Sequence, residues 1–177
     1  MSRQTWQELI FAAVANGTAV ASATAETILF PNLTVPANYI ADGRAMRLTI
    51  YGKVGATATP TLTLRLRWGG LAGTVLCATS AVTVAAVTDA IFKIEIVIVV
   101  RTNGSSGSVL AIGEVIWGAT IKTTNTPDMM GSAGATVPAA VTVDLTADTA
   151  LAITAQWSAN SASNTITGMH ELLEALN

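Results

Sequence analysis

The chain has 177 residues, 51% of them hydrophobic and only 11% charged, with a net charge of −2. That length suits one domain with a sizeable core, and the absence of a basic stretch argues against direct nucleic-acid binding. The longest strongly apolar run, Ile96–Val100, falls far short of the roughly 20 residues that a membrane helix needs.

Soluble proteins usually carry roughly 25% charged residues, so this surface is short of charge. Two explanations fit the composition. Partner subunits cover much of the surface, as the apolar excess of obligate interfaces suggests, or the surface is polar without charge, built from Thr, Ser, Ala and Asn.

Residues 1–25 read as an extended N-terminal arm, and residues 26–177 as the folded domain. Leu9–Ala15 resembles the apolar part of a signal peptide. Glu8 abuts it, however, Arg3 is the only cation before it, and the run is at the lower limit of length, so it reads as a mature segment. Trp6, Leu9, Ile10 and Phe11 are the arm's candidate partner contacts, with Trp6 as a docking anchor.

The first strand expected after the arm is Glu26–Phe30. From Arg44 the chain alternates, with Met46, Leu48, Ile50, Gly52 and Val54 on one face and Arg47, Thr49, Tyr51 and Lys53 on the other. After a turn near Thr59 and Pro60, Leu62, Leu64, Leu66 and Trp68 point inward while Thr61, Thr63, Arg65 and Arg67 point outward. Such period-two alternation predicts half-buried strands, and outward Arg and Lys discourage unwanted pairing. Val75–Val84 is a further strand candidate. It holds the one cysteine, Cys77, which cannot form an internal disulfide and reads as a small buried apolar residue.

A long strand follows over Phe92, Ile94, Ile96, Ile98 and Val100, with Lys93, Glu95 and Arg101 opposite. Val97 and Val99 interrupt its polar face, which points to a centre covered on both sides. Asn103–Gly107 has hairpin turn chemistry, after which Val109, Ala111, Gly113, Val115 and Trp117 resume the alternation. Asn125–Val137 and Ser158–Asn164 read as loops, and Ala140–Leu145, Ala150–Trp157 and Thr165–Leu176 as strands. Met169–Leu176 also fits helical spacing. Eight or nine antiparallel strands without helical crossovers predict an all-β, antiparallel β-sandwich of jelly-roll kind.

The sequence holds little that could carry chemistry. Metal sites want several ligands at close spacing, but the single histidine, His170, lies far from Cys77. Asp42, Asp89, Asp128, Asp144 and Asp148 stand singly near turns, where acids cap their own backbone, and no calcium loop is present. His170 and Glu171, as strand neighbours, point to opposite faces. Ser105, Ser106 and Ser108 lack a nucleophile elbow, and Gly104–Gly107 is not followed by the lysine of a phosphate loop. Asn16-Gly-Thr, Asn32-Leu-Thr and Asn103-Gly-Ser match the glycosylation pattern but read as turns. Of the four tryptophans, Trp68 and Trp117 fall inward and Trp157 ends a strand, which favours packing over a sugar-binding platform. No catalytic residue, cofactor or metal ligand is assigned.

The order of features carries a resemblance. Trp6 with Leu9-Ile-Phe11, Asn16-Gly-Thr-Ala19 and Thr24-Ala-Glu-Thr27 come first. Val35-Pro-Ala-Asn-Tyr39, Asp42-Gly-Arg44, Arg47-Leu-Thr-Ile-Tyr-Gly52 and Thr59-Pro-Thr-Leu-Thr-Leu64 follow, then Arg67-Trp-Gly-Gly70 and Arg101-Thr-Asn-Gly-Ser-Ser-Gly107. This succession resembles a loose family of jelly-roll structural proteins of tailed bacteriophages, over residues 6–117 and more faintly to the end.

The resemblance implies a virion component without enzymatic activity, such as a capsid decoration (cement) protein, often a trimer. The implied partners are the major capsid protein and copies of the chain itself, with neither nucleic acid nor membrane. The implied location is the capsid exterior, after synthesis in the host cytoplasm. The rival readings are a tail, collar or fibre component with host-glycan binding, and a cellular carbohydrate-binding module.

Overall fold

A computed structural model describes residues 7–31, 33–118, 121–122, 126–132 and 138–176, and every regular element among them is a β-strand. In chain order these are Gln7–Ala12 (β1), Val20–Ala21 (β2), Thr27–Ile28 (β3), Leu33–Val35 (β4), Ala45–Ala56 (β5), Thr61–Trp68 (β6) and Thr74–Ala78 (β7). Val82–Thr83 (β8), Val87–Thr102 (β9), Gly107–Trp117 (β10), Asp128–Met130 (β11), Val141–Val143 (β12), Thr149–Trp157 (β13) and Thr165–Leu176 (β14) complete the set.

The long strands form where the alternation is cleanest. β5 buries Met46, Leu48, Ile50 and Val54, β6 buries Leu62, Leu64 and Leu66, and β9 buries Phe92, Ile94, Ile96, Ile98 and Val100. Each such side chain contributes about 1.5–3 kcal/mol on leaving water, so these strands supply a large share of the core. Trp157 and Trp117 are also inside, the latter tilted against Phe92 at 5.9 Å between ring centres. Buried indoles need acceptors: Trp68 Nε1 donates to the Asp144 carbonyl at 3.0 Å, and Trp157 Nε1 to the Val20 carbonyl at 3.3 Å.

Two antiparallel sheets pack face to face. The larger runs β1-β14-β5-β9-β10-β11, with β2 also on β14 and β12 also on β10. The smaller runs β3-β13-β6-β7, with β4 also on β13 and β8 also on β6. The chain changes sheet between β2 and β3, β4 and β5, β5 and β6, β8 and β9, β12 and β13, and β13 and β14. This is the wrapped connectivity of jelly rolls. One side is laced shut by a bridge between Ala78 and Gly131, whose N–H groups donate to each other's carbonyls at 2.9 and 3.2 Å.

Fourteen strands stand among the described residues where eight or nine are expected, because the edges are broken into short pieces. The expected Val75–Val84 strand splits into β7 and β8, and the expected Glu26–Phe30 strand keeps only Thr27 and Ile28, β3. β11 lies within the expected Asn125–Val137 loop; residues 125 and 133–137 of that loop lie outside the described residues. Short, interrupted edges resist pairing with foreign strands.

Two glycines make room for aromatic rings. Gly52 and Gly168 are direct neighbours across β5 and β14. A Cβ on Gly168 would overlap the Phe30 ring, and one on Gly52 would overlap the Phe92 ring and the Thr167 carbonyl. A side chain at either position would push a ring out of the core.

The C-terminal stretch that also fits helical spacing is a strand with a bulge. The register of β14 on β5 slips between Gly168 and His170, leaving both Met169 and His170 outside. An extra residue on one strand reverses the alternation beyond it. Beyond the bulge Glu171, Leu173 and Ala175 therefore face inward. Glu171 is only 2% exposed, and its Oε2 has no hydrogen-bond partner among the described residues. Burial pushes its carboxyl up to about 7.

The segment read as an arm over residues 1–25 is, from Gln7, the edge of the larger sheet. β1 pairs with the second half of β14 and β2 with its beginning, while the Ala13 and Gly17 N–H groups donate to the Glu171 and Gly168 carbonyls. Ile10, Phe11 and Ala13 pack against the core. A register shift between Leu9 and Phe11 conceals the alternation of β1 in the sequence.

Candidate functional site

The two outer faces of the sandwich differ. On the smaller sheet, Arg65 and Arg67 extend from β6 and converge on Glu26. Arg67 Nε and Nη2 donate to its carboxylate at 2.6 and 2.8 Å, and Arg65 Nη1 at 3.2 Å. Thr154 Oγ1 also donates to Glu26, and Arg65 Nη1 donates to Gln156 at 2.9 Å. The Arg67 guanidinium holds the Glu26 carboxyl below its ordinary range. This face is polar and its charges are satisfied.

The larger sheet is different. Alternation that sends one set of β9 and β10 residues inward sends Ile91, Lys93, Glu95, Val97, Val99 and Arg101 outward from β9. From β10 it sends out Leu110, Ile112, Glu114 and Ile116. Register sets these side by side: Val99 beside Leu110, Val97 beside Ile112, Glu95 beside Glu114, and Lys93 beside Ile116. None of the described residues covers the centre of β9, where cover on both sides is expected; Val97 and Ile112 are each 36% exposed.

Charges on this face are few. Arg47 pairs with Glu174 at 3.1 Å, Lys93 with Glu95 at 2.7 Å and Lys53 with Asp89 at 3.0 Å. The Lys93 ammonium lowers the Glu95 carboxyl. Glu114, directly across from Glu95, makes no ion pair among the described residues, and neither does Arg101. Like charges directly opposed across strands destabilise a sheet.

At one end of the face Tyr51, Ile91, Ile116 and Trp117 line a shallow apolar hollow of about 230 Å³. Tyr51 stacks on His170 at 6.1 Å between ring centres. A second hollow of about 310 Å³ lies at the laced side, between Thr59, Val82, Ile121 and Lys122. Its ionisable groups neutralise each other: Lys122 Nζ meets Asp128 Oδ1 at 2.8 Å, and Trp117 Nε1 donates to Asp128 Oδ2 at 2.5 Å.

Of the candidate contacts, Leu9 is 56% exposed on the free edge of the sheet, whereas Ile10 and Phe11 are half-buried against the core. Trp6 lies outside the described residues. The turn acids behave in two ways. Asp144 accepts from the Thr146 N–H and Oγ1, Asp148 from the Ala37 N–H at 2.8 Å, and Asp42 from the Asn103 N–H at 2.5 Å. Asp128 and Asp89 instead serve lysines. His170 is exposed while Glu171 is buried, so the two do not form a pair. Cys77 is buried, and burial pushes its thiol up to about 12, where it is inert. Among the described residues, no group of three or more His, Cys, Asp or Glu is placed to hold a metal.

The apolar outer residues of β10 escape a sequence reading, because the buried set Val109, Ala111, Val115 and Trp117 accounts for the strand alone. The available signal is that Leu110, Ile112 and Ile116 make β10 apolar on both faces. Strands apolar on both faces are usually covered on both. No family model matches the sequence, and no curated protein matches it.

Proposed function

We propose that this chain is a non-catalytic structural subunit of a tailed-phage particle, a decoration protein bound to the exterior of the capsid lattice through subunit contacts. The observation that carries the structural role is the outer face of the larger sheet, apolar along its centre and covered by none of the described residues. Exposed apolar surface of this kind marks protein contact. The place on a phage head follows the resemblance in motif order, and the jelly-roll connectivity is in keeping with it.

The mechanism is mechanical. Subunits associate with copies of themselves, in trimers if the resemblance holds, and with the major capsid protein, adding buried area across lattice boundaries after synthesis in the host cytoplasm. Quantitative mass spectrometry of purified particles tests this. A copy number near that of the major capsid protein, or a fixed large fraction of it, supports the head-lattice role. A few to a few tens of copies moves the chain to the neck or tail, and absence overturns the reading.

A tail or fibre role with glycan binding has one observation in its favour, the exposed Tyr51–His170 stack beside the apolar hollow, since aromatic faces suit sugar rings. It requires saturable sugar binding that Tyr51→Ala abolishes.

A further inference from the structure

We infer that two copies of this chain pair through the outer faces of their larger sheets, Arg101 of each copy meeting the Glu95 and Glu114 carboxylates of the other. The inference names a partner for the assembly face proposed above. It rests on that reading of the face, though not on the phage location.

The argument begins with register. Along β9 the outward residues follow in the order Glu95, Val97, Val99, Arg101, and β10 places Glu114, Ile112 and Leu110 beside the first three. The face is thus a ladder of rungs about 6.6 Å apart, two residues of strand each: an acidic rung and two apolar rungs, followed by the basic Arg101 at the bulge where the register of β9 on β10 slips. One residue at each end carries a charge that makes no ion pair among the described residues. Lys93 neutralises one of the two acids, and Arg101 meets no acid among the described residues.

Such a ladder is self-complementary. A two-fold axis lying between two facing sheets, perpendicular to the strands and midway between the apolar rungs, exchanges those rungs. Val97 then faces the second copy's Val99, and Ile112 faces its Leu110. The same operation carries the acidic rung onto the second copy's arginine. One operation buries the apolar centre and cancels the spare acid and the spare base, twice per pair, as an isologous contact requires. Facing sheets pack about 10 Å apart at about 30°, within reach of an arginine at the rim.

Charge also rejects the alternative. An axis parallel to the strands would place the Glu95 and Glu114 pairs of the two copies against each other, a cluster of four carboxylates. Repulsion of this kind selects one arrangement of a face over another.

Sedimentation and light scattering on the purified full chain test the inference. At about 100 µM the expected mass is twice the 18.1 kDa of one chain, or an even multiple if other contacts also form. Arg101→Glu, a surface change that leaves thermal unfolding in place, should raise the dissociation constant at least about tenfold, since it acts at two symmetric contacts. Glu114→Arg should do the same, and the two together should restore pairing. Val97→Asp should abolish it whatever the charges. A monomeric wild type, a mass indifferent to Arg101→Glu, or failure of the double variant to recover would each overturn the inference. None of these results depends on whether the chain is found in a virion.

Discussion

Glu171 gives the sharpest test of how the core is built. The β14 bulge turns this carboxylate inward, and Oε2 finds no hydrogen-bond partner among the described residues. The perturbation is Glu171→Gln, which keeps the shape and removes the ionisation. Burial raises the carboxyl from 4.5 to about 7. Between those two values the folded chain therefore holds a proton that the unfolded chain releases. Stability is fully present below pH 4.5 and falls as pH rises through 7. A shift of this size, at about 1.4 kcal/mol per unit, amounts to about 3 kcal/mol at high pH. For a chain of this size that corresponds to about 6–12 °C in Tm. Wild type and Glu171→Gln should unfold at similar urea concentrations at pH 4, and the variant should be the more stable by about 3 kcal/mol at pH 8.5. Other carboxylates titrate alike in both proteins, so the difference isolates this one group. A gap that stays constant from pH 4 to 8.5, or a variant weaker at high pH, would refute the claim that Glu171 is buried without compensation.

Gly168→Ala should cost about 1–3 kcal/mol by overpacking against Phe30, and Phe30→Leu in the same chain should recover part of it, a coupling that a double-mutant cycle measures. Glu26→Gln should destabilise by about 1–3 kcal/mol at pH 7, through weakened bonds from Arg67, Arg65 and Thr154. The depressed Glu26 carboxyl stabilises the fold above its unfolded value of 4.5, and this is lost as pH falls through its folded value; the two proteins should therefore converge in acid urea titrations. Deleting residues 2–15 removes β1 and uncovers the β14 edge, so the urea midpoint should fall by the equivalent of at least about 2–4 kcal/mol. An unchanged midpoint would show that this segment contributes nothing to the sandwich.

What can be read from the sequence depends on how one-sided each strand is. β5, β6, β9 and β10 have one face in the core, and their alternation announces them, closely for β5, β6 and β10, while β9 begins at Val87, five residues before the expected Phe92. β1 and β14 carry bulges, and a single extra residue is enough to turn Met169–Leu176 into an apparent helical pattern and to hide Leu9, Ile10 and Phe11 as a strand. The short edge strands have too few residues for any period to show. At the candidate face, Val97 and Val99 are visible as apolar intruders on a polar side, but the missing cover is a matter of what lies above the sheet. Sequence periodicity reports which side a residue faces and nothing about whether that side is occupied. Asp128 is legible only as a turn acid, because the need it meets, an acceptor for the Trp117 indole, arises when β11 pairs with β10.

The order of strands in the larger sheet also bears on how the chain comes to be folded. β14, made after every strand beside it, is inserted between β1 and β5, and β13 likewise sits between β3 and β6. Until those last strands emerge, β1 has no neighbour and β5 offers an open edge beside an apolar surface. Neither sheet can close during synthesis of the first 140 or so residues. Such long-range closure is slow and exposes the unfinished chain to wrong partners. The chain should therefore fold only after its C-terminal strands have left the ribosome, and shortening it within β14 should yield aggregates rather than a weakened sandwich.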